Sequence, residues 1–203
     1  MTNKTMWSIL VDVAGLLLRR RVSYRQALQH FSRALTGPVT EVSLVAMMAE
    51  QIEALFHPLG LAIVLAQEHT MYGTALARGG LAVQALWRPG SCFKPLHPVP
   101  AELARQHCPV DVARLLNQVP AAEQGIWRQV AGSGVHLIIP MHLHGRLVGW
   151  VALGPKVSRL PYTRANREFL SGLADQSAVA LGTSLLHGEM QQRATELTTL
   201  AMV

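Results

Sequence analysis

Residues Gly134 to Lys156 read GVHLIIPMHLHGRLVGWVALGPK. Two apolar runs, Val135 to Leu143 and Arg146 to Leu153, flank the dipeptide His144-Gly145. Apolar runs separated by a two-residue turn that contains glycine are a strong hairpin signal. After Gly154-Pro155-Lys156 and a polar turn, the period changes. From about Thr163 to the end, Phe169, Leu173, Ser177, Leu181 and Leu185 recur every four residues with Leu170, Ala174 and Ala178 beside them, and Met190, Leu197 and Leu200 continue the stripe, which is the mark of one helix face. Thr163 can cap it, because its hydroxyl can accept from an otherwise unpaired N–H of the first turn. At 1.5 Å per residue, about 37 residues make a rod of about 55 Å. That exceeds the width of a domain of this size, so the rod is expected to leave the core, and its apolar stripe then needs a partner helix. A module that senses and dimerises fits this pattern better than a catalytic pocket does.

The chain has 203 residues, half of them apolar and only 15% charged, which allows one domain with extra helices and excludes a disordered or fibrous chain. Two cysteines, Cys92 and Cys108, make no disulfide framework and suit a reducing compartment. The formal charge of +6 is thinly spread apart from Arg19-Arg20-Arg21. A basic balance raises nucleic acid or an anionic membrane face as partners. No zinc-finger spacing or interleaving of aromatic and basic residues accompanies it, so nucleic acid is not expected.

Met6 to Leu18 is mostly apolar but contains Asp12, and it is shorter than the roughly 20 residues a bilayer span takes. Its arginines follow the apolar run, whereas a signal peptide carries its charges before it. Three readings stay open for residues 1–22: the cytoplasmic edge of a membrane segment, an amphipathic helix on Trp7, Leu10, Val13 and Leu17, or an extra docking helix.

Further along, Ser23 to Leu35 reads as a helix with Tyr24, Leu28, Phe31 and Leu35 on one seam, ended at Gly37-Pro38. Thr40 to Phe56 reads as a second, with Leu44, Met48, Ile52 and Leu55 inward. Leu61 to Gln67 is a short continuous apolar run, hence a central strand. Met71 to Arg78 would pair with it after a turn at Glu68-His69-Thr70, and Gln84 to Arg88 is another candidate strand. From Pro89 to Ser133 prolines interrupt the pattern; short helices near Ala101–Gln106 and Asp111–Gln118 are expected in an otherwise irregular lid. This order gives an α+β domain with an antiparallel sheet, helices on one face and the irregular segment on the other.

The hairpin sequence resembles the late sheet hairpin of GAF domains. The continuation PYTRANREFLSGLADQSAVALGTSLL is similar to the closing helix of GAF domains in bacterial sensor histidine kinases, and RRRVSYRQALQHFSRALTG to the helix that precedes them. Trp127 also fits. The resemblance spans residues 23 to 190. It implies a six-strand-like antiparallel sheet flanked by helices, with N- and C-terminal helices forming a dimeric bundle and a small-molecule pocket on the opposite face. The implied organisation is a juxtamembrane-like or amphipathic helix over 1–22, a GAF domain over 23–186 and a signalling extension over 187–203. The implied role is regulatory and non-enzymatic, in two-component signal transduction. The effector would follow Val203, and the location would be cytoplasmic, tethered to the inner membrane face in a full-length protein.

The cyclic-nucleotide GAF pattern has Asn-Lys, then Phe, then Asp-Glu; here Gly154-Pro155-Lys156, Tyr162 and Asn166-Arg167 stand there, so Lys156 reads as a solvated turn residue. Phytochrome-type bilin attachment uses Cys-His, whereas this chain has His107-Cys108, the reverse order, which would move the thiolate. His136 and His142 lie six apart on a strand, hence on one face, and a single axial histidine would serve haem. No spacing typical of metal ligands occurs. No cofactor is assigned: haem and bilin both lack support. Cys92 and Cys108 could form an attacking and resolving pair in a free methionine sulfoxide reductase, the weaker alternative. No Gly-x-Ser-x-Gly elbow or phosphate loop occurs. The pocket residues expected are Trp87, His97, His107, Cys108, Trp127 and His136. The partners expected are a second copy, through the first and last helices, and a small-molecule ligand. The competing reading is a ligand-free domain that only dimerises and transmits.

Overall fold

A computed structural model describes residues 24–37, 39–65, 75–79 and 98–200. The expectations for Met6–Leu18 and Gln84–Arg88, and for Trp87, Cys92 and His97, lie outside them.

The first helix, α1 (24–34), turns Phe31 inward. Helix α2, Glu41–Phe56, begins at a capping box in which Thr40 accepts from the Ser43 N–H and Ser43 accepts from the Thr40 N–H; each satisfies a donor the helix leaves over. Its end is set by His57, held at φ 45 with its N–H on the Glu53 carbonyl. Leu44, Met48 and Ile52 are buried along one face as their spacing requires.

Strands β1 (Gly60–Leu65) and β2 (Ala75–Gly79) pair antiparallel. Three helices follow: α3 (Pro98–Arg105), then the two-residue strand β3 (Val110–Asp111), α4 (Val112–Leu116) and α5 (Ala121–Gly132). The hairpin is β4 (Leu137–Leu143) against β5 (Arg146–Leu153), and α6 (Arg164–Leu200) closes the chain with 37 residues. The described sheet is five-stranded, in the order β2-β1-β5-β4-β3, and every pairing is antiparallel. His144 at φ 50 and Gly145 at φ 79 are both left-handed, the geometry of a two-residue hairpin turn matched to strand twist.

Side-chain alternation divides the core into two layers. Leu61, Ile63, Leu65, Leu137, Ile139, Met141, Val151 and Leu153 pack with α1, α2 and α6. Ala62, Val64, Ile138, Trp150 and Ala152 face the opposite way and pack with Leu103, Val112, Leu115, Trp127 and Val130 of α3 to α5. The short helices expected near Ala101–Gln106 and Asp111–Gln118 are present as α3 and α4, and the otherwise irregular lid is corrected at Ala121–Gly132, where a third helix, α5, joins them over the sheet. Prolines misled there because they start helices as well as break them: Pro98 and Pro100 lie in the first turn of α3, and Pro120, at φ −55, stands immediately before α5. A missing N–H costs nothing in a first turn, where it would have no partner.

Candidate functional site

Where β5 gives way to α6, the chain builds a polar knot inside an apolar shell. Lys156 is buried, which corrects the solvated-turn expectation. Its ammonium donates to Asn166 Oδ1 and to the Pro161 carbonyl, and it lies 4.7 Å from the centre of the Tyr162 ring and 5.6 Å from that of Phe56. A cation can be buried only when donors find acceptors and ring faces replace lost hydration. Asn166 belongs to the cap of α6: its Oδ1 accepts from the Thr163 N–H and its N–H donates to Thr163 Oγ1. Its Nδ2 reaches across the sequence to the Tyr24 hydroxyl at 2.8 Å. One side chain therefore joins the end of β5, the root of α6 and α1.

Around this knot the helices interlock. The Tyr24 and Phe169 rings lie 5.1 Å apart, and Gly172 admits Leu28, whose Cδ1 would stand 3.2 Å from an added Cβ. The Tyr162 hydroxyl donates to the Gly154 carbonyl at 2.9 Å, and burial raises its pKa well above the ordinary phenol value. Arg167 makes two 2.8 Å bonds to the Asp111 carboxylate, tying α6 to the start of α4.

On the other sheet face, Trp127 is fully buried among apolar neighbours, and its Nε1–H has no acceptor. Such a donor costs free energy unless something supplies an acceptor. His107 and Cys108 are both exposed between α3 and β3. His136 is exposed just ahead of β4 and borders an open depression of about 450 Å³ with Leu59, Pro155, Arg159, Leu160, Pro161 and Tyr162. At about 3.3 Å per residue along a strand, the six positions between His136 and His142 separate them by roughly 20 Å. His142 instead meets His107, with ring centres 4.8 Å apart. Of the six residues expected around a pocket, Trp127 is interior, His107 and Cys108 are neighbours at one end of the sheet, and His136 sits at the other.

No family model matches the sequence, and no curated protein sequence matches it. Solved structures do match in shape. The GAF domain of a phosphoenolpyruvate-protein phosphotransferase from Coxiella burnetii aligns at TM-score 0.58 and 14% identity, covering 83% of this chain and 98% of that one. The GAF domain of a two-component sensor histidine kinase from Bacillus halodurans aligns at 0.52 and 17%, covering 73% and 98%. A phycoerythrobilin-bound GAF domain from a cyanobacterial phytochrome aligns at 0.53 and 16%, covering 81% and 96%. This chain has the GAF fold.

Within that fold, the residues resist two ligand classes. Cys108 is exposed and outside the apolar cluster beneath α3 to α5, so among the described residues no cysteine thiol lies in that cluster to hold a covalent tetrapyrrole. Lys156 is committed to the α6 cap, which removes it from phosphate recognition. Sequence reasoning missed Asn166 as the partner of that lysine, Tyr24 as the partner of Asn166, and Trp150 as the second large ring under the helices. One signal was available: a Thr followed three residues later by a polar amide marks a reciprocal helix cap.

Proposed function

We propose that this chain is a regulatory sensory domain that takes a small molecule between the sheet and helices α3 to α5, and that transmits occupancy through α1 and α6 of a dimer to an attached effector of the histidine kinase type. The observation that carries the reading is the buried Trp127 N–H without an acceptor, on the face not locked against α1, α2 and α6. A ligand with an acceptor atom and an apolar body would complete that donor. Occupancy would shift the populations of two seatings of α3 to α5, and the Lys156–Asn166–Tyr24 chain would pass the change to the helix pair. The likeness in shape to GAF domains of a sensor kinase and a phytochrome supports the class.

Native mass spectrometry and an absorbance spectrum of the purified protein test this. A bound mass that is lost in Trp127→Phe, with the fold intact by circular dichroism, supports it. The second reading, a ligand-free transmission element, is favoured by how fully Trp127, Trp150 and Leu103 fill their layer. A colourless, ligand-free protein that remains dimeric after truncation at Leu186 would establish that reading instead.

A further inference from the structure

His107 and His142 take no part in the sensory reading. His142 lies at the irregularity of β4 between Met141 and His142, and His107 follows the end of α3. Their rings are tilted by 48° with centres 4.8 Å apart. His142 Nε2 is buried and has no hydrogen-bond partner, while the ring bonds the Ala104 backbone carbonyl. With Nε2 unpartnered, that bond falls to Nδ1–H and leaves Nε2 as a bare lone pair. An imidazole held by a carbonyl through one nitrogen, with the other left to donate electrons, is the arrangement of a metal-ligating histidine.

The distances agree. Zinc binds imidazole nitrogen at about 2.0–2.1 Å, which puts each ring centre roughly 3.2 Å from the ion. Two rings meeting a metal at angles between about 90° and 109° then have centres roughly 4.5–5.2 Å apart, and the observed pair falls inside that range. Among the described residues no cluster of three or more His, Cys, Asp or Glu forms, so solvent on the exposed His107 side would complete the coordination.

We propose that His107 and His142 form an open two-imidazole site for a borderline divalent cation of the zinc or nickel class, clamping the end of α3 to β4. Imidazole donors favour such ions over magnesium or calcium. The site is separate from the Trp127 face and stands whether or not a small molecule binds there.

Isothermal titration of the full chain, freed of any histidine tag, with zinc chloride and then cobalt chloride at neutral pH tests the site. The expected result is one ion per chain with Kd below about 100 μM, and visible cobalt bands showing nitrogen ligation. His107→Ala should weaken binding by roughly tenfold or more; because His107 is exposed, this variant keeps the fold. His142→Gln should do the same, while Cys108→Ser and His144→Ala should bind as the parent does. Undiminished affinity in His107→Ala, loss of binding in Cys108→Ser, or a parent Kd weaker than about 1 mM would overturn the proposal and leave the two rings as a packing contact.

Discussion

Lys156 reaches Asn166 across ten residues and meets it at 2.5 Å, inside a wall of Phe56 and Tyr162. The pair ties the chain leaving β5 to the first turn of the last helix. A charged donor to a buried amide is worth about 2 kcal/mol, so Lys156→Met should lower unfolding stability by about that amount in urea titration. Asn166→Ala should cost a similar amount, and the double variant less than the sum, because both single changes break the same bond. Strict additivity would mean that the two residues act separately.

Gly149 and Gly182 should respond differently to alanine. A Cβ on Gly149 would stand 2.4 Å from the Val64 carbonyl oxygen, which is backbone in a paired strand. Gly149→Ala is expected to cost about 1–3 kcal/mol. On Gly182 the new atom would meet the end of the Leu143 side chain, which can rotate away, and alanine favours helix by about 1 kcal/mol. Gly182→Ala should therefore be nearly neutral. Thermal melts of the two variants side by side decide it.

His142 predicts how stability depends on pH. Burial lowers its folded pKa below the ordinary 6.5. The unfolded chain then binds protons more readily than the folded one, so stability should fall as pH drops below about 6.5 and level off once the folded ring also protonates. Above that range this residue makes no difference. Denaturant midpoints measured across the interval should show a shallower slope in His142→Gln than in the parent, without added metal.

The Tyr162 hydroxyl and the Gly154 carbonyl satisfy each other out of solvent. Tyr162→Phe should cost about 1–2 kcal/mol, chiefly from the acceptor left behind. Hydrogen exchange should show faster opening around the junction of β5 and α6. An unchanged exchange pattern there would mean that the bond carries little.

The hairpin, the second helix and the 37-residue closing helix were all legible because each rests on local rules: a glycine turn, a 3.6-residue period, and a Thr placed to cap the closing helix. The stretch before the hairpin was legible in part: two of its helices were expected and α5 was not. Proline was read as a breaker there, although at 98, 100 and 120 it opens helices. Lys156 was misread for a different reason. The cap pattern marks Asn166 but not Lys156 as its company, and nothing local announces Phe56 beside the lysine or Tyr24 beside the amide, since those contacts exist only once three distant segments meet. The same holds for His107 and His142, which sequence treats as scattered residues and the sheet places ring to ring.

Asn166 is the pivot of a long arm. The helix it roots extends about 55 Å, so a tilt of about 2° at that root would carry the far end by about 2 Å. Slack of a few tenths of an ångström among Lys156, Tyr24 and Thr163 is thereby magnified severalfold at the tip, and stiffness at this one amide sets how faithfully a small rearrangement beneath the sheet is reported at a distance.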